Sequence, residues 1–197
     1  MEKKTIAAFD FDLTLTDKDT LWEFLVFAFG KRKVLTGLAY CAPDLIGMKM
    51  GLRNNGQTKE KLIGYFTKGM SERVFTTACE DFTRNRLPSI IRRKALNKLL
   101  WHQDKGHEPV IVSASPENWI RPWASQYSVE VIGTKLLTSN GTHSGLFASK
   151  NCSGKEKVRR LLEFFPEREN YTLFAYGDSS GDKDLLAFAD YPFYRRF

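Results

Sequence analysis

Short apolar runs that end in polar residues recur along the chain. The first of them, Thr5 to Phe9, stops at Asp10, which is typical of a buried strand that leads into a loop. The later runs are rich in β-branched or aromatic residues and are bounded by turn-forming residues. Together these runs predict strands at residues 5–9, 109–113, 129–133 and 171–176.

Helical periodicity fills most of the remaining sequence. From about residue 20 to residue 100, apolar residues recur at spacings of three and four, and Asp19 or Thr20 is expected to cap the first helix. A further helix is predicted at 155–165. A hairpin is predicted at 135–147, because an Asn-Gly pair at its centre is a strong two-residue turn signal.

Buried strands separated by helices indicate an α/β fold with a parallel sheet. The helical block between the first two strands is too long for a simple crossover connection, so we interpret it as an inserted cap. The 197 residues suit one compact domain with one such insertion. We therefore expect an α/β core formed by residues 1–16 and 105–197 and a helical cap formed by residues 17–104.

The composition is that of a folded protein rather than a disordered one, with 42% hydrophobic and 13% aromatic residues. The formal net charge is +7, and it is concentrated in residues 17–107, which hold 17 Lys and Arg against 9 Asp and Glu. A basic segment of this kind could steer an anionic metabolite, a lipid headgroup or nucleic acid, or simply form a solvated surface. Charge alone therefore does not decide the function.

Cysteine usage and the absence of targeting patterns bear on the cellular compartment. The three cysteines lie far apart without a Cys-x-x-Cys pair, which favours a reducing compartment. The sequence shows no signal-peptide pattern, and no segment reaches the roughly 20 apolar residues of a spanning helix. We expect a cytoplasmic protein. Peripheral contact with anionic lipid and the oligomeric state are left open.

Polar residues that suit metal chemistry follow three of the predicted strands. Asp10 and Asp12 follow the first strand, Ser113 ends the second, and Asp178 and Asp182 follow the last. In open α/β sheets the carboxyl ends of the strands line the ligand crevice, so four carboxylates would converge there and require a compensating cation. Oxygen ligands without His or Cys favour a hard divalent ion, and Mg²⁺ is the predicted cofactor.

The same residues resemble the four motifs of the haloacid dehalogenase superfamily of phosphohydrolases, in the same order and over essentially the whole chain. The Asp-x-Asp-x-Thr phrase of 10–14 is similar to the first motif, and Ser113 is similar to the second. The lysine of the third motif is either Lys155 or Lys157, with Lys157 favoured. The Gly-Asp-Ser-Ser-Gly-Asp phrase of 177–182 is similar to the fourth.

The resemblance implies a Rossmann-like parallel sheet, an inserted helical cap of the C1 type and phosphatase chemistry. Asp10 would attack the phosphorus and become an aspartyl-phosphate, while Asp12 would protonate the leaving alcohol and then activate water. Thr14 and Ser113 would bind phosphoryl oxygens. Lys157 would neutralise charge on the nucleophile and on the phosphate.

The resemblance also implies the arrangement of the metal site. Mg²⁺ would lie between the Asp10 carboxylate, the backbone carbonyl of Asp12 and the Asp178 carboxylate. Asp182 would orient the lysine or a water bound to the metal. Leu13 stands where many relatives have glycine, and this departure bears on the flexibility of the loop rather than on its chemistry.

A cap between the first and second motifs resembles subfamily IB, which contains phosphoserine phosphatase. Asp19 lies where that group often has an acidic residue near the substrate's amine, so it is a candidate for substrate specificity. The second motif departs from the pattern, because phosphoserine phosphatases carry Ser-Gly-Gly where this chain has Ser113-Ala-Ser-Pro116. This phrase and the Tyr-Pro-Phe-Tyr ending resemble the branch that includes bacterial phosphatidylglycerophosphate phosphatases.

That second resemblance implies contact between the cap and the membrane. The apolar segment 24–50, interrupted by the basic residues 31–33, either docks on anionic lipid or forms an ordinary cap hairpin. We therefore expect a Mg²⁺-dependent phosphomonoesterase that acts on a small phosphorylated metabolite. A lipid-phosphate phosphatase at the membrane surface is the alternative.

Two interpretations from other classes of protein have less support in the sequence than a phosphatase does. A phospho-acceptor signalling module also combines Asp, Thr or Ser, Lys and Mg²⁺, but it pairs adjacent acids after its first strand, whereas Phe11 separates Asp10 from Asp12 here. A nucleic-acid-binding protein is supported only by the basic segment and would bind with a steep salt dependence. Nucleic acid is therefore not an expected partner.

Several polar residues outside the motifs are interpreted as structural. Ser115 and Asn118 are expected to cap a helix rather than to bind a ligand. Arg53, Lys59 and Lys61 are candidates for substrate contact, but a solvated position is favoured for each of them.

Overall fold

The computed structural model describes residues 3–50, 52 and 54–197, and of Lys49 only the backbone. The strands are β1 (Lys4–Phe9), β2 (Glu108–Pro116), β3 (Glu130–Thr134), β4 (Leu136–Ser139), β5 (Thr142–Phe147), β6 (Tyr171–Gly177) and β7 (Tyr191–Tyr194). The helices are α1 (Thr20–Lys49), α2 (Asn55–Thr67), α3 (Glu72–Asn85), α4 (Arg93–Asp104), α5 (Glu117–Ala124), α6 (Lys155–Phe164) and α7 (Lys183–Phe188). Arg53 lies outside the described residues.

A five-stranded parallel sheet lies at the centre of the fold, in the order β3-β2-β1-β6-β7. Both faces of β1 are buried. Ile6 and Ala8 pack in a cluster with residues of α6 and α7, while Ala7 and Phe9 pack in a cluster with residues of α4 and α5. Burial on both faces explains why β1 is a continuous apolar run without alternation. The predicted α/β fold with a parallel sheet is confirmed.

The four predicted strands and the predicted hairpin are all present, although β2 continues as far as Pro116. The strand that the pattern did not predict is β7. It pairs with β6 at the edge of the sheet, where Pro192 lies opposite Ala175. A proline within a short run argues against a strand except at an edge, so the local pattern gave no sign of β7.

Two segments that lie side by side connect the helical region to the sheet. Thr16 and Ile91 form an antiparallel bridge, and the Arg92 N–H donates to the Leu15 carbonyl at 2.8 Å. The chain therefore leaves the sheet after β1 and returns before α4 through paired backbone.

The helix α4 contacts the sheet directly. Nε2 of His102 lies 3.0 Å from the Tyr176 hydroxyl on β6, and the His102 ring meets the Phe9 ring edge-on. The predicted cap of 17–104 includes this helix. The division of the chain into a core and a cap at those positions stays a prediction.

Aromatic packing joins the first long helices to α5. The Phe24 ring stacks on Trp119 with 4.6 Å between the ring centroids, and it meets Phe75 and Phe82 edge-on at 5.6 and 5.5 Å. The helix α1 is interrupted at Gly30, whose φ of +78° lies in the left-handed region that favours glycine. Among the described residues, no helix combines the length and the apolar character that a bilayer crossing needs.

The hairpin β4–β5 is attached to the helices through His143. The His143 N–H donates to the Met70 carbonyl at 2.9 Å, and its carbonyl accepts from the Gly69 N–H at 2.8 Å. The His143 ring is buried against Phe75, and neither ring nitrogen has a hydrogen-bond partner among the described residues. Burial lowers the pKa of His143, with Glu72 opposing the effect.

We expect the His143→Phe variant to be more stable than the wild type by about 1 kcal/mol at pH 7.5, because phenylalanine buries no unpaired nitrogen. The gain should be larger at pH 5. The unfolded chain binds a proton at this histidine below about pH 6.5, whereas the folded chain resists it, so His143 costs stability as the pH falls. Urea unfolding at both pH values measures the difference. A gain that is the same at the two pH values would contradict this account.

Candidate active site

The carboxyl ends of three strands meet beside a cleft. Phe9 pairs with Ile111 on β2 and with Tyr176 on β6, so the residues that follow β1, β2 and β6 lie side by side. The strands β2 and β3 lie on one side of β1, whereas β6 and β7 lie on the other, so the direction in which strands are added to the sheet reverses at β1. Ligand crevices of open α/β sheets form at such a reversal. The cleft has a volume of about 1150 Å³, and its walls include Asp10, Asp12, Asp19, Lys59, Lys157 and Asp178.

Lys157 lies at the base of this cleft and is only 2% exposed. Its ammonium group donates to Oδ1 of Asp10 and to Oδ1 of Asp182, both at 2.6 Å. The helix α6 begins just before it, and Lys155 in the first turn of that helix is exposed. Of the two lysines considered for the third motif, Lys157 is therefore the one that contacts Asp10.

Burial and charge act in opposite directions on this cluster. Burial raises the pKa of Asp10 to about 7, although Lys157 opposes the shift. Burial would lower the pKa of Lys157, but Asp10 and Asp182 hold it above its usual range. Burial would raise the pKa of Asp182, yet Lys157 and the hydrogen bonds from Ser179 hold it below its usual range. The lysine is therefore charged, and Asp182 is its ionised partner.

Asp12 is held by hydrogen-bond donors from two distant parts of the chain. Its Oδ1 accepts from the Thr20 N–H at 2.6 Å and from the Thr20 hydroxyl at 2.5 Å, and its Oδ2 accepts from the Ser115 hydroxyl at 2.6 Å. The Thr20 hydroxyl in turn accepts from the Trp119 indole N–H at 3.0 Å. The carboxylate is thus fixed between the start of α1 and the end of β2.

The capping role predicted for Ser115 is wrong. The residue that precedes α5 is Pro116, and Ser115 instead uses its hydroxyl to contact Asp12. Its backbone N–H donates to the hydroxyl oxygen of Ser113 at 3.0 Å, and both serines are fully buried. No local pattern signalled this contact, because Ser115 and Asp12 are far apart in sequence.

The remaining residues of the first and fourth motifs also come together. The Thr14 hydroxyl donates to Oδ1 of Asp178 at 3.3 Å. Burial raises the pKa of Asp178, with Asp182 acting in the same direction and Thr14 opposing it. Leu13 has a φ of +60°, in the left-handed region that favours glycine, so a branched side chain is held there at some cost in free energy.

Asp19 and Lys59 approach the cleft from the helical side. Asp19 is the N-cap of α1 and accepts from the Leu21 N–H at 2.9 Å, as the sequence allowed. Burial raises the pKa of Asp19, Asp12 acts in the same direction and Lys59 opposes it.

The solvated position favoured for Lys59 is wrong, because this side chain is half-buried and lines the cleft. Lys61 is exposed, as expected, and pairs with Asp44. The two lysines of α2 therefore differ in their surroundings.

The acidic cluster fits a hard divalent cation. Carboxylate oxygens of Asp10, Asp178 and Asp182 lie within 4.8 Å of one another, and all three are oxygen donors of the kind that Mg²⁺ prefers. The Asp182 oxygens are already engaged by Lys157 and by Ser179. Asp10 and Asp178 are therefore the carboxylates of this cluster that are better placed to bind a cation.

The fold and the site together define a Rossmann-like α/β protein with an acidic site at the carboxyl edge of its sheet. The model of the family described as haloacid dehalogenase-like hydrolase matches residues 7–187. The chain therefore belongs to the haloacid dehalogenase-like hydrolases, as its four motifs predicted, and it is an enzyme.

Individual proteins are similar to this chain in sequence or in fold. The chain is 37% identical over 194 residues to protein CicA of Caulobacter vibrioides, covering 98% of this chain and 86% of the relative. It is similar in fold to a protein with unknown function from Bordetella pertussis Tohama I, with a TM-score of 0.80 at 20% identity over 94% of this chain and 87% of that one. It is also similar in fold to a substrate-bound phosphoserine phosphatase, with a TM-score of 0.66 at 16% identity over 98% of this chain and 87% of that one.

We expect the Lys157→Met variant to lose about 3–5 kcal/mol of unfolding free energy, because it leaves two buried carboxylates without their cation. The matched control is Lys155→Met, which removes an exposed charge two residues away and should change the stability by less than about 0.5 kcal/mol. Urea unfolding at pH 7.5 without divalent ions measures both. Equal losses in the two variants would contradict a structural role for the buried ion pairs.

Proposed function

We propose that this hydrolase is a Mg²⁺-dependent phosphomonoesterase that works through an aspartyl-phosphate on Asp10. The observation that carries the proposal is the convergence of Asp10, Asp12 and Asp178 with the buried Lys157 at one edge of the sheet. An acidic cluster with one lysine suits phosphoryl transfer, in which positioning and charge stabilisation account for most of the catalysis. The likeness in fold to phosphoserine phosphatases supports the same reaction class.

The reaction would proceed in two displacements at phosphorus. An Oδ oxygen of Asp10 attacks, the bond between phosphorus and the ester oxygen breaks, and Asp12 gives a proton to the leaving alcohol. Water then attacks the phosphorus of the aspartyl-phosphate and gives a proton to Asp12, and the bond to Asp10 breaks. Inorganic phosphate leaves, Asp10 is again a carboxylate, and Asp12 again carries the proton with which it entered the first step.

The other site residues would stabilise charge during these steps. Lys157 would bind phosphoryl oxygens next to Asp10, and Asp182 would keep that ammonium group charged and in place. Ser113 would donate to a phosphoryl oxygen, and so would Thr14 in exchange for its contact with Asp178. Asp10, the Asp12 carbonyl and Asp178 would hold Mg²⁺. When bound, the ion supplies positive charge that favours the ionised nucleophile and the transferring phosphoryl group.

The surroundings of the cleft favour a small polar substrate. Beyond the acidic cluster, its walls carry Asn54, Asn55, Gln57, Lys150 and Asn151, which can hydrogen-bond a hydrophilic leaving group. Asp19 and Glu60 are acidic residues that the helical side contributes to the cleft, and Glu60 already accepts from the Phe147 N–H. Asp19 would contact a positively charged or hydroxyl-bearing part of the substrate. The natural substrate class is thus a phosphorylated metabolite.

We expect Asp10→Asn to abolish the Mg²⁺-dependent hydrolysis of p-nitrophenyl phosphate while the fold is preserved, because the amide removes the nucleophilic oxyanion. Asp17→Asn is the matched control, since Asp17 is an exposed acid in the same loop and should retain its activity. Release of p-nitrophenolate with and without a chelator measures turnover, and circular dichroism measures folding. Substantial turnover by Asp10→Asn, or a wild type indifferent to the chelator, would refute the proposal.

A second candidate function is supported by an outer face formed by Leu35, Ala39, Pro43 and Ile46 of α1 and by Met50, the residue that follows the helix. All five residues are exposed and lie along one side of the helix, and three of them are large apolar side chains exposed by 59% or more. The exposed basic residues 31–33 stand at the beginning of this face. An apolar stripe beside a basic cluster matches an anionic bilayer, and a lipid phosphate would then be the substrate.

We expect the wild type to co-migrate with vesicles that contain phosphatidylglycerol in a detergent-free flotation assay if this second candidate is correct. Ile46→Glu should abolish co-migration, because it places a charge in the apolar stripe. Val74→Glu is the matched control, since Val74 is an exposed apolar residue of α3 outside the stripe. Absence of the wild type from the vesicle fraction would remove the lipid candidate.

A further inference from the structure

The half-buried ammonium group of Lys59 belongs to the helical side of the cleft but reaches the sheet. Lys59 is in the second turn of α2, and its Nζ donates to the Ala114 carbonyl at 3.0 Å. Ala114 lies between Ser113 and Ser115, the two buried serines at the end of β2. A side chain from the helical region thus touches the segment that carries the second motif.

The acidic groups whose charges act on Lys59 include those of the reacting centre. Burial lowers the pKa of Lys59, and the groups that oppose this shift are Asp12, Asp19 and Asp10, in that order. Two of these three are the residues proposed to carry out the chemistry. Lys59 also lines the same cleft as Asp10 and Asp12, so its ammonium group and the residues proposed to react share one space.

The ammonium group of Lys59 has more N–H donors than the hydrogen bond described for it uses. An ammonium group has three N–H donors, and the hydrogen bond described for Lys59 uses one of them, on a neutral carbonyl oxygen. Lys157, by contrast, is divided between two carboxylates at 2.6 Å. A phosphoryl dianion that enters beside Asp10 adds negative charge to an acidic cleft, and Lys59 is a cation that can turn towards it.

We propose that Lys59 is a ligand of the transferring phosphoryl group, supplied by α2. This inference rests on the proposed function, since it assigns a role at the same site. Its consequence is that the phosphoryl site is complete only when α2 lies against the end of β2. Binding of phosphate and positioning of the helical region are thereby coupled through one side chain.

The test compares Lys59→Met with Lys61→Met. Both variants remove a lysine charge from α2, but Lys61 is exposed and paired with Asp44 outside the cleft. Inorganic phosphate is titrated by calorimetry in Mg²⁺ buffer. Lys59→Met should weaken phosphate binding about tenfold or more, the loss typical of a charge-assisted hydrogen bond, whereas Lys61→Met should stay within about twofold of the wild type. Lys59→Arg should recover most of the affinity, and thermal unfolding verifies that each variant is folded.

Hydrolysis assays distinguish the phosphoryl group from a second anionic group on the substrate. With Lys59→Met, kcat/KM should fall by the same factor for p-nitrophenyl phosphate and for phosphoserine, because the phosphoryl group is common to both. Unchanged phosphate binding, or a loss confined to phosphoserine with its carboxylate, would overturn the proposal. A wild type that neither binds phosphate nor hydrolyses either ester would show instead that the proposed function itself has failed, and the inference with it.

Discussion

The ion pairs of the Lys157 ammonium group join three distant parts of the chain. Asp10 follows β1, Asp182 follows β6, and Lys157 belongs to the first turn of α6. All three side chains are nevertheless buried, and the Lys157 ammonium nitrogen lies 2.6 Å from a carboxylate oxygen of each aspartate. Two carboxylates in a buried site repel each other and are poorly solvated, so a cation must lie between them. The register of β1 with β6 and the starting point of α6 are both constrained by this requirement. The cleft, its charge and its chemistry depend on it.

The sheet topology places these charges where a substrate can reach them. Strand addition reverses at β1, so the loops after β1 and β6 diverge and leave a crevice at the carboxyl edge. The helical region is tied back to that edge by the paired segments at Thr16 and Ile91. Residues at the starts of α1 and α2 can then contact core residues, as Thr20 does with Asp12 and Lys59 with Ala114. A helical insertion and a sheet thus contribute to a single site.

The parts of the site that could be predicted are those with a local signal. Acidic residues directly after apolar strands identify Asp10, Asp12 and Asp178, because the end of a strand is visible in the sequence pattern. The contacts of Ser115 and Lys59 had no such signal, since each depends on a partner far away in the chain. The edge strand β7 was missed for a related reason. Its proline argues against a strand locally, and only pairing with β6 provides the compensating hydrogen bonds.

The sequence by itself determined the order of the strands before β7, the helical character of residues 20–100 and 155–165, the acidic character of the strand ends and the family to which the chain belongs. These properties follow from hydrophobic periodicity and from short motifs, which act over a few residues. Only the tertiary structure decided that Lys157 rather than Lys155 contacts Asp10, that Ser115 holds Asp12 and that Lys59 enters the cleft. Each of these outcomes depends on which side chains are brought together and removed from water. Such proximity is set by the packing of the whole chain. The same packing removes these side chains from water, and burial strengthens the interactions between the charges in the cleft.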